Sequence, residues 1–340
     1  MTGGAGYIGS FGVRALLRGG HDVVVYDNLS QGHRASVERL AVSAPGRRVT
    51  LVEGDIRDAR RVQETLTEHR IDAVMHFAAL LIVNESVFHP IKYYDNNVRG
   101  ALSVLEAMAG AGVSRFIFSS TCATFGEPQK TPIDETHPQR PINSYGETKL
   151  AVERALPHFE RAYGIKSVVL RYFNAAGADP DGLLGEDHTP EIHLIPRAID
   201  ATLGGEPLQV FGDDYPTPDG TCLRDYVHVI DLADAHVRAM GSLQDGGDSA
   251  QYNLGTGTPH SVREILKSVE RVTGRPVPHK MSPRREGDPA ALFAGNAKVR
   301  RELGWEPHYL RLDDIVDTAW QWRRRHPQGY RSASEGPTAA

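Results

Sequence analysis

The chain has 340 residues, 40% hydrophobic and 7% aromatic, with 38 basic against 43 acidic side chains. That length holds one large or two closely joined domains with a generous core, and the mixed charge argues against nucleic acid as a partner. No membrane-length apolar run and no leader pattern occur, and two cysteines only, Cys122 and Cys222, point to a reducing compartment, so a cytoplasmic protein with no membrane partner is expected.

The run Thr2-Gly3-Gly4-Ala5-Gly6-Tyr7-Ile8-Gly9-Ser10 opens the chain. Gly3, Gly6 and Gly9 keep the spacing of a turn whose backbone approaches a pyrophosphate, with the next helix packed close behind. Surface turns are Gly-rich too, so the run alone is weak evidence. Here a helical pattern follows over 7–18, then Gly19-Gly20, then an apolar strand over 21–26 that ends in Asp27-Asn28. An acidic residue about twenty positions past the glycines is placed to accept hydrogen bonds from an adenosine ribose. A first strand belongs ahead of the turn, yet only Met1 precedes Thr2. The strand is expected to be missing, through a start placed too late or a trimmed chain. Its loss should expose two sheet edges and leave the chain poorly stable.

Short apolar strands then alternate with helical patterns: strands over 49–52, 73–77, 115–119 and 167–171, helices over 58–69, 97–111 and 145–163. This rhythm predicts an α/β fold with a Rossmann-type doubly wound parallel sheet. From 174 to 221 the chain turns rich in Gly, Pro and Asp, with an apolar stretch over 192–203 and a short strand over 208–211. That shift marks a smaller α/β lobe. A helix over 231–242 and a strand over 252–254 look sheet-packed again, so the lobes interleave. Residues 1–173 with roughly 225–254 are read as the dinucleotide domain, 174–224 with 255–330 as the substrate lobe, and 331–340 as a disordered tail.

Within Ser144-Tyr145-Gly146-Glu147-Thr148-Lys149, Tyr145 and Lys149 stand one helical turn apart on one face. A free phenol, with a pKa of ~10, is a poor base at neutral pH. An ammonium beside it, together with the positive end of a nicotinamide, favours the phenolate. Bringing that pKa to ~7 takes roughly 4 kcal/mol, within reach of two nearby positive charges. Alone, the pair equally describes an ordinary helix start with a partly exposed Tyr and a solvated Lys. Thr121, closing Ser119-Ser120-Thr121 ahead of that helix, either caps a turn at a strand end or hydrogen-bonds a reacting oxygen.

More specific segments are Asp95-Asn96-Asn97-Val98, Arg171-Tyr172-Phe173-Asn174 and Phe211-Gly212-Asp213-Asp214-Tyr215-Pro216-Thr217-Pro218-Asp219-Gly220-Thr221. Arg224-Asp225-Tyr226-Val227-His228-Val229 and Arg284-Arg285-Glu286-Gly287-Asp288 complete the set. On these, from Thr2 to about Tyr330, the chain resembles the extended short-chain dehydrogenase/reductase superfamily and, within it, the sugar-nucleotide 4-epimerases. The resemblance implies reversible conversion of UDP-glucose and UDP-galactose at C4 through a 4-keto sugar, with tightly bound NAD+ taking and returning hydride.

Residue by residue, the resemblance implies Tyr145 as acid and base, Lys149 holding the nicotinamide ribose and lowering the Tyr145 pKa, and Thr121 relaying the proton of the 4-oxygen. Gly3, Gly6, Tyr7, Ile8 and Gly9 match the pyrophosphate turn, Asp27 and Asn28 the ribose, Asp55 and Ile56 the adenine contact. Phe77, Ala78 and Ala79 line the nicotinamide half, and Asn96, Ser119 and Tyr172 complete the cofactor side. Asp27 favours NAD over NADP, since it would repel a 2′-phosphate. For the substrate, Asn174, Arg224 and Arg285 match diphosphate contacts, Asp288 the uridine ribose, and Leu194 is a further substrate contact; a planar guanidinium can pair two phosphate oxygens at once. For each Arg, a surface ion pair is the plainer alternative. A homodimer is implied too, packed on helices over 97–111 and 150–163.

Two departures stand out. Leu81 occupies a place where many relatives carry Lys, removing one charged contact near the cofactor or phosphates. Leu292 aligns with a gate whose size sets tolerance of N-acetyl groups; leucine is intermediate, and the simple hexose is the expected substrate. Glu186, Asp187, His188, Glu191 and His193 crowd together, but their spacing fits no firm metal-ligand pattern and the redox chemistry needs no metal. Cys122 reads as a small side chain under the site and His76 as structural. Three competitors remain. A 4,6-dehydratase would carry Asp-Glu directly after the Thr, where this chain has Cys122-Ala123. An epimerase for UDP-pentoses or UDP-N-acetylhexosamines is the neighbouring alternative. A silent NAD-binding regulator would be expected to have lost one of Thr121, Tyr145 and Lys149.

Overall fold

A computed structural model describes residues 1–285 and 288–331. The strands are β1 (Val23–Asp27), β2 (Val49–Glu53), β3 (Val74–His76), β4 (Arg115–Thr121), β5 (Lys166–Tyr172) and β6 (Asn174–Ala176). They continue as β7 (Leu208–Phe211), β8 (Leu223–His228), β9 (Ala250–Leu254), β10 (Pro259–Ser261), β11 (His279–Ser282) and β12 (Ala291–Leu292). The α-helices are α1 (Tyr7–Arg18), α2 (Arg34–Ser43), α3 (Ala59–Glu68), α4 (Val83–Phe88), α5 (Pro90–Tyr93) and α6 (Gly100–Ala111). After them come α7 (Ser144–Tyr163), α8 (Leu194–Thr202), α9 (Val229–Gln244), α10 (Val262–Thr273), α11 (Ala297–Leu303) and α12 (Leu312–Arg325).

The main sheet is parallel. β2 pairs with β1, and β3, β4, β5 and β9 follow one another on the other side. Thr2 joins the two halves, bridging Tyr26 and His76 in parallel. Thr2 N–H donates to Met75 O, Phe77 N–H to Thr2 O and Tyr26 N–H to Met1 O, at 3.0, 2.9 and 2.8 Å. The expectation of two exposed edges is therefore corrected at this point: Met1 and Thr2 are hydrogen-bonded to both neighbours.

Alternation along the strands sends successive side chains to opposite faces. Val25, Ile117, Val168 and Leu170 pack with α1, α2 and α9, while Tyr26, Phe116, Phe118 and Val169 pack with α3, α6 and α7. Both faces are covered, which is why these strands read as continuous apolar runs. A third core joins α8, α10 and α12 to β7 and β8 through Ile195, Ile199, Val210, Tyr226, Ile265 and Trp320. Around it β8 pairs with β6, β10 and β12, and β7 with β11.

Helical winding also starts earlier than the expected 97. The segment Tyr94–Arg99 winds as a π-helix directly into α6 and buries Asn97. Such wide turns re-aim side chains and recur at functional sites. The tail over 332–340 and the pair 286–287 of the Arg-Arg-Glu-Gly-Asp segment lie outside the described residues. Among the described residues no helix is long and apolar enough to cross a membrane.

Candidate active site

β4 ends on Thr121, two residues beyond the expected 119, and α7 begins at Ser144, capped by Asn143, whose Oδ1 accepts from Gly146 N–H at 2.9 Å. These two ends bring Ser119, Thr121, Tyr145 and Lys149 together. Of the two readings of Thr121, the turn cap is seen directly. Its Oγ1 accepts from Ala123 N–H at 3.1 Å, capping a short turn, and its hydroxyl lies close enough to the Tyr145 phenol to favour the phenolate. Lys149 Nζ is buried and donates to Ser119 O at 2.8 Å, 5.0 Å above the Phe118 ring. Ser119 Oγ is hydrogen-bonded to the Tyr172 hydroxyl.

The electrostatics of this cluster follow from lost solvation. Burial pushes the Tyr145 phenol well up, with the Thr121 hydrogen bond opposing, and pulls Lys149 down to about 7, with Glu153 opposing. Lys149 thus spends its proton on Ser119 O, and the protein's own groups hold Tyr145 protonated rather than lowering it.

Helical spacing continues the site downwards. Tyr145, Lys149 and Glu153 follow one another at four-residue steps on α7, so one face carries all three. Glu153 is buried and accepts from Arg171 Nε at 3.0 Å and Nη2 at 2.6 Å, from Ser120 Oγ at 2.5 Å and from Gln139 Nε2 at 2.9 Å. This network locks α7 to β4 and β5. The four-residue step from Lys149 to Glu153 is visible in the sequence, but the partner Arg171 is not. Asn97 is buried in the wide turn ahead of α6. Its amide accepts from Leu80 N–H at 2.8 Å and donates to Leu80 O at 3.0 Å and Thr148 Oγ1 at 3.1 Å, tying the loop after β3 to α7. Ser86 Oγ accepts from Tyr145 N–H at 3.1 Å.

The Gly-rich turn follows Thr2, which bridges β1 and β3 beside β4. Gly3 has φ +72°, and a Cβ there would lie 2.5 Å from Ala78 N. At Gly9 it would lie 2.1 Å from Gly3 O. At Gly6 it would meet only Gly3 O, at 3.5 Å, so that side of the turn is open to an approaching group. Gly6 is the N-cap of α1 and gives it no side-chain cap, leaving the N–H groups of Tyr7 and Ile8 at a positive helix end. Those features fit a dinucleotide pyrophosphate. Asp27, buried at the end of β1, accepts from Ala5 N–H at 3.0 Å and Leu29 N–H at 2.9 Å, and burial raises its pKa. It fixes the turn and still offers lone pairs to a ribose. Asn28 Oδ1 accepts from Ser30 N–H. Asp55 is held by Arg57, Ile56 is buried in the core beside α6, and Phe77 and Ala78 back the turn with Ala79 next in the chain. Asn96 Nδ2 donates to Asn97 Oδ1 at 2.9 Å.

The residues read as substrate contacts sit on several elements. Asn174 opens β6 and donates to Asp225 O at 3.0 Å, and Leu194 opens α8. Arg224, on β8, is half-buried and paired with Asp288, although phosphate and ribose contacts were expected of the two side chains separately. Arg285 stacks over Phe211 at 3.9 Å. Leu292 lies opposite Arg224 across β8 and β12 and packs with Phe125, Phe173 and Cys122. Burial pushes the Cys122 thiol up to about 11, so it stays protonated. Leu81 lies in the loop held by Asn97, and His76 is buried, bonded to Thr2 Oγ1 at 2.8 Å and lowered to about 3 by burial.

Residues 1–255 match the NAD dependent epimerase/dehydratase family. A UDP-glucose 4-epimerase of Lacticaseibacillus casei is 49% identical over 331 residues, covering 97% of this chain and 98% of the relative. The crystal structure of UDP-glucose 4-epimerase from Brucella ovis in complex with NAD superposes with a TM-score of 0.89 at 50% identity, covering 94% of this chain and 96% of that one. The enzyme from Bifidobacterium longum in complex with NAD+ and UDP gives 0.92 at 40% identity, over 96% and 98%. Matched along its length in sequence and in fold, the chain belongs to the NAD dependent epimerase/dehydratase family.

Proposed function

We propose that this chain is an enzyme that epimerises UDP-glucose and UDP-galactose reversibly at C4, using bound NAD+. One observation carries the reading: Thr121, Tyr145 and Lys149 converge at the end of β4, in the same parallel sheet whose Thr2 bridge leads into a Gly-rich turn shaped for a pyrophosphate. Bound NAD+ supplies a reversible hydride acceptor for the sugar carbon. Tyr145 takes the proton of the 4-hydroxyl and later returns it, with the neighbouring Thr121 hydroxyl as relay. Lys149, its ammonium weakened by burial and anchored on Ser119, holds the cofactor ribose and adds positive charge on the phenol's side. Asp27 orients the adenosine ribose and disfavours a 2′-phosphate.

Residues 1–173 with 225–254 carry the cofactor in this reading, and 174–224 with 255–330 the UDP-sugar. Asn174, Arg224 and Arg285 hold the diphosphate, Asp288 the uridine ribose, and Leu194 contacts the substrate. The Arg224–Asp288 pair keeps both side chains preset. Leu292 bounds the sugar pocket at a size suited to a hexose. A homodimer and a cytoplasmic location belong to the same reading. Supporting the dimer, Val87, Phe88, Ile91 and Tyr94 expose apolar side chains just ahead of α6.

The test is conversion of UDP-galactose to UDP-glucose by purified protein with no NAD added. Turnover supports the epimerase and a retained cofactor together. Absent turnover, with NAD released on denaturation, would overturn the hexose assignment in favour of another UDP-sugar or a silent binder.

A further inference from the structure

Glu186, His188, Glu191 and His193 lie in the segment that leads into α8, away from the Tyr145 cluster in the chain. Folding brings them together: one ligand atom from each lies within 4.8 Å of all the others. His188 Nδ1 is 3.3 Å from Glu186 Oε1 and 3.6 Å from Glu191 Oε2, and His193 Nδ1 is 3.9 Å from Glu191 Oε1. Four ligands placed 2.0–2.1 Å from a tetrahedral ion are roughly 3.3 Å apart, so the two His188 spacings already fit and the remaining ones need shifts of up to about 1.5 Å. The direct contact between Glu186 and His193 is the one that must lengthen.

Independent observations point the same way. The His188 side chain is only 10% exposed, and its Nδ1 is buried without a hydrogen-bond partner while aimed at the two carboxylates. Glu191 Oε1 is pinned by Ile192 N–H at 2.8 Å and His193 N–H at 2.9 Å, which turns Oε2 inward. Metal binding displaces the imidazole protons, and the two neutral imidazoles and two carboxylates that remain carry a double negative charge, which one divalent ion balances. A cavity of about 650 Å³ lined by Glu186, His188 and Glu191 gives an ion a route in, and Thr121, Tyr145 and Lys149 do not line it.

We propose that Glu186, His188, Glu191 and His193 bind one divalent first-row ion of the zinc class. Two nitrogens and two oxygens suit such an ion, and a full set of four protein ligands is the pattern of structural rather than catalytic metal. The ion fastens the start of α8 to the chain below the Gly-rich turn, where the Tyr7 ring meets His188 edge-on at 6.1 Å. The chain spacing concealed the site because the ligands stand at mixed intervals on an irregular segment.

The test is the zinc content of untagged full-length protein after equilibration with zinc sulfate and desalting. About one zinc per chain is expected, falling below about a tenth in both Glu186→Gln and His188→Gln with the far-UV circular dichroism unchanged. Glu191→Gln serves if either variant misfolds. Removing the ion with dipicolinate should lower Tm and zinc should restore it. Wild-type protein that keeps no zinc, variants that keep as much as wild type, or a Tm indifferent to the ion would each overturn the proposal.

Discussion

Thr121, Tyr145 and Lys149 show how little a side chain's own chemistry says before its surroundings are known. Burial alone makes the phenol a weaker acid and the ammonium a stronger one, the reverse of what base catalysis needs. Positive charge brought beside Tyr145 with the cofactor therefore has to do the lowering. Tyr145→Phe should cut kcat by about 10²–10⁴-fold with NAD still bound, measured by UDP-galactose turnover and by NAD released on denaturation. Full turnover in that variant would remove Tyr145 from the mechanism. Buried imidazoles set the acid limit. His76 and His228 are lowered to about 3 and His236 to about 4, all by burial. Their folded pKa values lie below the unfolded ~6.5, so the unfolded chain binds more protons between the two. Their stabilisation is complete above about 6.5 and is lost as pH falls towards 3–4. Between pH 7 and 5 each ring should cost about 2 kcal/mol, read as a falling Tm in a pH series.

At the scale of elements, α7 is positioned from beneath. Glu153 and Arg171 form a buried pair that joins it to β5, with Ser120 adding β4. Glu153→Ala leaves Arg171 buried and uncompensated, and should destabilise by about 3–5 kcal/mol in urea unfolding. A shift under 1 kcal/mol would mean that water replaces the carboxylate. The first turn of α1 depends on backbone space instead. Gly3→Ala asks for a positive φ and a Cβ 2.5 Å from Ala78 N, so the turn must move. Retained NAD should fall by tenfold or more, on the order of 1.4 kcal/mol at least, as checked by absorbance of the denatured supernatant. These elements were legible to different degrees. Gly3, Gly6 and Gly9 and the end of β1 stood out because turns and ribose contacts need fixed residue types at short range. Asn97 and Glu153 act across 51 and 18 positions, on Thr148 and Arg171, and no local pattern records such partners.

For the molecule as a whole, two parallel-sheet faces and a separate core around α8, α10 and α12 divide the labour. Arg224 stands on β8, between those bodies, paired with Asp288. Arg224→Leu removes a cation while Tyr145 and the Gly-rich turn stay in place. KM for UDP-galactose should rise about 10–100-fold with bound NAD unchanged, consistent with one charge-assisted contact worth roughly 1.5–3 kcal/mol. An unchanged KM would make the Arg224–Asp288 pair purely structural.

The alternating strands and helices, the glycine spacing, Asp27 and the four-residue step from Tyr145 to Lys149 were set by the chain itself, because periodicity and turn chemistry are local. Tertiary structure alone decided that Thr121 both caps a turn and meets Tyr145, and that Lys149 is buried on Ser119. It also decided that Arg224 pairs with Asp288, and that two glutamates and two histidines share one small volume. Each of these depends on distances between segments, and on the burial that turns a solvated charge into a held one.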